Sequence, residues 1–161
     1  MYLIFGFIFC FLLFIDIATK VLATQITKSI IIIPDFFKLT YLENKGAAWG
    51  IGQNSTFLFI VFSFLFIGGV VFFLYNFKIK DKVVFFSIAS VLSGAAGNLL
   101  DRIFNGYVID FFDFCILEYN FPIFNVADIC IVVGMFIIMF RLLVSNDDLM
   151  IRRKHNVYKN K

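Results

Sequence analysis

GAAGNLLDRIFNGYVIDFFDFCILEYNFPIFNVAD, residues 94–128, is the stretch on which the reading of this chain turns. It closes one long apolar segment and opens another. Asp110, in VIDF, and Asp128, in FNVAD, lie where one hydrophobic span has just ended or the next is beginning. A carboxylate near lipid is costly unless it faces a protein interior or a watery pocket, so an acid in such a place marks a functional site by default.

The composition around that stretch says what the solvent is. The chain has 161 residues, enough for one domain. Of these, 61% are hydrophobic, 16% are charged and 25 are Phe, with a mean hydropathy of +0.95. A soluble domain of this size has far less apolar surface to hide, so the bilayer is the expected solvent. A helix needs roughly 20 apolar residues to cross it, and four segments qualify: about 2–22, 56–77, 83–103 and 127–143. For the first, a cleaved signal peptide is the competing reading, since Val21-Leu22-Ala23 is a passable cleavage site. The absence of a basic leader and the length of the apolar run argue against it. Residues about 23–55 read as a small cap on the bilayer surface, with a turn at Pro34-Asp35 and a short strand between Phe36 and Leu42. Trp49 suits a membrane interface, and Asn54-Ser55 can cap the second span. The tail, about 145–161, reads as polar, basic and frayed.

Basic residues set the orientation. The loop Lys78–Lys82 and the tail beyond Arg141 hold most of them, which places both on the cytoplasmic side. Four spans then put both termini inside, and the connections 23–55 and 104–126 outside. Residues scattered along the chain are thereby gathered into one layer at the outer face: Asp16 and Lys20, Asn44, Asn98 to Arg102, Asp110, Asn125 and Asp128.

Local alternatives stand beside each of these. Asp16, Thr19 and Lys20 share a helix face, and acid before base at that spacing is a favourable pair; it either neutralises itself at the rim or braces a site. Gly94, Gly97, Asn98, Asp101 and Arg102 fall on one face of the third span. Packing alone accounts for the glycines, whereas the Asn98 amide needs partners. Asn125 is an N-cap candidate with Asp128 three residues on, a favourable place for an acid whatever its function. Asp113 and Glu118 read as rim acids.

Two carboxylates held close share one proton. One can take a proton from water while the other donates to a substrate carbonyl, so an amide is hydrolysed with no nucleophilic side chain, metal or cofactor. Rival chemistries fare poorly. The single histidine, His155, is in the tail, which leaves Ser93 and the three cysteines without a base near the site. Cys10, Cys115 and Cys130 have no metal-like spacing, their odd number excludes a complete disulfide framework, and Cys10 and Cys130 read as packed small hydrophobes. No zinc set or phosphate-cradling Gly loop is present. The basic tail, with Arg152, Arg153, Lys154, Lys159 and Lys161, suits anionic lipid and not nucleic acid. A proton relay would spread acids through the membrane depth; a purely structural protein would use them only as caps.

The motifs, taken in order, resemble the type II, or lipoprotein, signal peptidases of bacteria. Asp16 to Lys20 resembles that family's D-x-x-x-K, and Asn44-Lys45-Gly46-Ala47-Ala48 its N-x-G-A-A. Gly94 to Asn98, Asp101-Arg102 and Gly106 to Phe111 resemble its long central signature, and Phe124-Asn125-Val126-Ala127-Asp128 its F-N-x-A-D. Trp49 stands where Phe is expected. The resemblance implies an all-α membrane protein with four transmembrane helices and a small extracytoplasmic β-rich cradle between helices one and two. It implies an aspartic endopeptidase of the bacterial cell membrane, with Asp110 and Asp128 catalytic. Asp16, Lys20, Asn44, Gly46, Gly94, Asn98, Arg102, Asn125 and Ala127 would bind substrate or support the site. The substrate would be diacylglyceryl-prolipoprotein, cut before the lipidated cysteine. Globomycin-type inhibitors would block the enzyme, and a monomer embedded in membrane lipid would suffice.

Overall fold

The computed structural model describes residues 1–46, 52 and 55–144, and the backbone of 151–153. Ala47, Ala48, Trp49, Asn54, Lys154, His155, Lys159 and Lys161 lie outside the described residues.

Among the described residues four helices are long and apolar enough to cross a membrane: α1 (Tyr2–Ala23), α2 (Thr56–Asn76), α3 (Lys82–Phe104) and α4 (Val126–Val144). The same described residues hold six strands, five between the helices, β1 (Ile30–Ile33), β2 (Phe37–Asn44), β3 (Phe77–Ile79), β4 (Val108–Ile116) and β5 (Tyr119–Asn120), and one after the last of them, β6 (Ile151–Arg153). The helices invert the soluble pattern. No residue of α2 is buried, and α1 turns Phe7, Phe11 and Phe14 outward, as a lipid solvent allows. Cys10 is exposed among them and Cys130 alone of the expected pair is packed.

α3 is the exception and the centre. Thirteen of its residues are buried, Ala89 and Val91 to Ala95 among them, because it packs against α1, α2 and α4. Small residues set its closeness to α4. A methyl group on Gly94 would strike the Ala127 carbonyl, and one on Gly134 would come within 2.9 Å of the Ser87 carbonyl. At its start Asp81 caps α3, accepting from the Val83 and Val84 N–H groups at 2.8 and 3.1 Å, and pairs with Arg141 of α4. Burial works against the Asp81 carboxylate, but the Arg141 bonds and the two N–H groups outweigh it and hold its pKa below the ordinary value.

The cradle is shared between two connections. The sheet runs β1-β2-β4-β5, all antiparallel. Half of it comes from between α3 and α4, where the sequence reading placed no strand. β2 and β4 pair in the register Leu42↔Asp110 and Asn44↔Val108, past a bulge after Leu39. This pairing brings the α1–α2 and α3–α4 connections to the same end of the bundle. At the other end β3 pairs with β6, so the tail expected to fray carries a paired strand at residues 151–153.

Candidate active site

Asp110 and Asp128 arrive from different elements and open on one cleft. Strand β4 carries Asp110, 2% exposed. The first turn of α4 carries Asp128. Both line a cavity of about 570 Å³ together with Asn44, Gly46, Asn98 and Arg102. The far walls are apolar: Phe121 to Phe124 from the loop before α4, and Ile129, Val132 and Val133 from α4 itself.

Each carboxylate is held by amides on both oxygens. Asp110 accepts from Asn125 Nδ2 at 2.7 Å on Oδ1 and from Asn44 Nδ2 at 2.9 Å on Oδ2. Asp128 accepts from Asn98 Nδ2 at 2.8 Å on Oδ1 and from the Asn125 backbone N–H at 3.1 Å on Oδ2. The amides are themselves oriented by groups that can only donate. Gly46 N–H donates to Asn44 Oδ1, Asp128 N–H to Asn125 Oδ1, and the Lys20 ammonium to Asn98 Oδ1. All three asparagines therefore turn their NH₂ groups toward the acids.

Burial raises the Asp110 pKa from 3.8 to about 7, and the charge of Asp128 adds to it; the hydrogen bonds from Asn44 and Asn125 oppose the rise. An acid so placed changes protonation near neutral pH, which suits proton transfer in either direction.

Arg102 spans the mouth. It donates to the Asn98 and Gly46 carbonyls at 3.3 and 3.2 Å, and its guanidinium lies 5.1 Å from the centre of the Phe59 ring. Asp16 and Lys20 sit beneath the acids, 1% and 2% exposed, joined at 2.8 Å. Gly97 has no side chain because the Asp16 carboxylate occupies that space. Asp16 Oδ1 accepts the Ala127 N–H at 2.9 Å. Asp16, Lys20, Asn44, Gly46, Gly94, Asn98, Arg102, Asn125 and Ala127 thus all lie in the cleft wall or directly behind it.

Asp113 is not a rim acid. It is 7% exposed, bonded to Thr40 Oγ1 at 2.9 Å and Lys38 Nζ at 3.3 Å. An odd spacing along a strand puts it on the opposite face from Asp110. Glu118 is exposed in the β4–β5 turn. Asp101, which the sequence left open, joins the site from behind through Lys20 at 2.9 Å and the Ile109 N–H at 3.1 Å. The sequence suits apolar clefts between the spans, but it does not single out the residues of this cleft wall. Its one sequence signal is Ile129, Val132 and Val133 at helical spacing from Asp128.

Comparisons with known proteins point to one family. A family described as signal peptidase (SPase) II matches residues 8–144. A lipoprotein signal peptidase of Clostridium acetobutylicum is 39% identical over 137 residues, 83% of this chain and 89% of the relative. One from Bacillus pumilus is 39% identical over 114 residues, 71% of this chain and 74% of the relative. Two solved structures described as bacterial membrane enzymes superpose with TM-scores of 0.78 and 0.75 at 31% and 33% identity. The first pairs 95% of this chain with 93% of that one, the second 88% with 94%.

Proposed function

The chain belongs to the signal peptidase II family, membrane aspartic proteases that remove signal peptides from prolipoproteins, and on that premise we propose that Asp110 and Asp128 are its catalytic pair. The observation that supports this most is that two carboxylates, each gripped on both oxygens, face one cleft whose remaining wall is apolar.

The pair carries one proton between them. The ionised member takes a proton from a water, and the resulting hydroxide attacks the scissile carbonyl carbon. The protonated member gives its proton to the carbonyl oxygen. The resulting gem-diol then collapses: the proton taken from water passes to the leaving amine as the C–N bond breaks, and one gem-diol hydroxyl gives its proton back to the other aspartate. No covalent enzyme intermediate forms, and the dyad returns to its starting charge with one shared proton. Asn44, Asn98 and Asn125 hold the carboxyl groups still while this happens, and Arg102 fixes the Gly46 backbone at the mouth.

The substrate is a prolipoprotein with diacylglycerol on a cysteine, cut just before that cysteine. The apolar walls at Phe121 to Phe124 and Val132-Val133 suit acyl chains and signal-helix residues. The site faces the outer side of the bacterial cell membrane and both termini lie in the cytoplasm, following the basic loop at Lys78 to Lys82. Enzyme and substrate anchored in one plane meet already oriented. A monomer in membrane lipid suffices, and a globomycin-type cyclic peptide competes for the cleft.

The test is cleavage of a diacylated lipobox peptide by the purified protein in lipid vesicles. Asp110→Asn and Asp128→Asn each abolish turnover while the protein still inserts; Asp113→Asn, on the other face of β4, retains most of it. Near-normal turnover in either of the first two variants refutes the dyad.

A further inference from the structure

Lys20 is used by nothing in the mechanism above, yet three of the bonds around the acids lead back to it. It lies on α1, 2% exposed. Its ammonium meets Asp16 Oδ2 at 2.8 Å, Asp101 Oδ2 at 2.9 Å and Asn98 Oδ1 at 3.0 Å. The contact to Asn98 is a hydrogen bond, and those to Asp16 and Asp101 are ion pairs.

Each of those partners reaches on toward a catalytic acid. Asp101 Oδ2 also accepts the N–H of Ile109, the residue before Asp110, at 3.1 Å. Asp16 accepts, on its other oxygen, the N–H of Ala127, the residue before Asp128, at 2.9 Å. Asn98, its oxygen turned to the ammonium, donates to Asp128 itself at 2.8 Å. One nitrogen thus ties the strand that carries one acid to the helix that carries the other. A second tie, the backbone pairing of Phe112 with Phe124, joins the same two segments without touching the acids.

Stability alone gives this arrangement little reason to exist. A buried ion cluster replaced by well-packed apolar side chains is often as stable or more so. What an apolar replacement cannot do is fix the position of three separate oxygens at once.

We infer that Lys20 is the positioning residue of this reaction, the point that sets the separation and relative orientation of Asp110 and Asp128. This rests on the dyad reading above. Lys20 touches neither substrate nor the reacting atoms; it acts through Asp101, Asp16 and Asn98.

Two double variants with the same net charge as the parent test this in the full chain, purified into lipid vesicles with the diacylated lipobox peptide. Asp16→Asn with Lys20→Gln keeps an amide donor for Asn98 and Asp101; Asp16→Asn with Lys20→Met has none. The Met variant is expected to lose kcat by about thirtyfold or more relative to the Gln variant, with KM within about threefold, as for an interaction that matters only at the transition state. Equal kcat in the two at equal folded fraction overturns the inference. If the Met variant does not fold, Asp101→Leu carries the same test, since it cuts the arm to Ile109 and leaves Lys20 paired with Asp16 and Asn98. A kcat loss of about tenfold or more at unchanged KM supports the inference, and unchanged kcat overturns it. Asp110→Asn and Asp128→Asn run alongside. Activity in those sinks the dyad, whereas their inactivity beside indistinguishable Lys20 variants sinks only the role given to Lys20.

Discussion

Replacing Asp110 by Asn should make the protein more stable at neutral pH while removing its activity, and the size of the effect follows from the site. The folded structure raises the Asp110 pKa from 3.8 to about 7 through burial and the nearby Asp128 charge. A group whose folded pKa exceeds its unfolded one lends its stability in full below the unfolded value and loses it as pH rises through the folded value. For Asp110 that window is from about 4 to about 7, and stability falls across it as pH rises. The whole displacement corresponds to roughly 4 kcal/mol, the cost of keeping Asp110 ionised in place. Asparagine never ionises and avoids that cost. It also brings an NH₂ group toward two donors, Asn44 Nδ2 and Asn125 Nδ2, that now find oxygens at 2.9 and 2.7 Å. One of those bonds is lost, which costs about 1–2 kcal/mol.

The two contributions give opposite signs at the two ends of the range. At pH 8 the variant should be more stable by about 2–3 kcal/mol, and near pH 4 less stable by about 1 kcal/mol, with a crossing between. Unfolding of parent and variant in mixed micelles by titration with a denaturing detergent, at several pH values from 4 to 8, measures the difference directly. Groups common to both proteins cancel in it. A difference that stays flat with pH, or that favours the parent more strongly as pH rises, would show that Asp110 is not held protonated by its surroundings.

Two further outcomes follow from the packing. Gly97→Ala places a methyl group against the Asp16 carboxylate; because that acid also holds the Ala127 N–H, the variant should lose about 1–3 kcal/mol of stability and most of its turnover, read by detergent unfolding and peptide cleavage. The β4–β5 turn is made of Leu117 and Glu118, both left-handed at φ 48° and 67°, a geometry that Asn-Gly fits far better. Leu117→Asn with Glu118→Gly should raise stability by about 1 kcal/mol at unchanged kcat; a loss of stability would mean that the exposed Leu117 is held by something outside this chain.

What the sequence revealed and what it hid have physical causes. Long apolar segments are their own signal when lipid is the solvent, so α1 to α4 were legible from length and hydropathy. That α3 packs closely was legible too, in Gly94 and Gly97; that Gly94 meets α4 and Gly97 meets Asp16 of α1 was not. The strand β4 was not. Val-Ile-Asp-Phe-Phe-Asp-Phe-Cys-Ile places apolar residues on both faces with one Asp on each, so the alternation that betrays a half-buried strand is missing. The same absence hid Asp113, whose burial depends on Lys38 and Thr40 of the neighbouring strand. Nor does any periodicity foretell that Asn125 reaches Asp110 across 15 positions, or Lys20 reaches Asn98 across 78. The first exists only once β4 has folded against the start of α4, the second only once α1 has packed on α3.

Asp128 shows why local and functional readings of a residue need not compete. Its spacing from Asn125 marks an N-terminal cap, and the cap is there. Asn125 N–H donates to Asp128 Oδ2 at 3.1 Å, and Asp128 N–H donates back to Asn125 Oδ1 at 3.0 Å, the reciprocal bonds of a capping box. An ordinary cap would end there, with the rest of the carboxylate turned to solvent. Here the second oxygen takes the Asn98 amide and borders the cleft. The cap also commits the Asn125 oxygen to the helix, so only its NH₂ group is left to meet Asp110, at 2.7 Å. Asn125→Ala would therefore do more than fray a helix end. It would leave one oxygen of each acid without its partner or without the residue that aims it, and a loss of kcat well beyond what about 1 kcal/mol of capping energy explains would separate that role from capping alone.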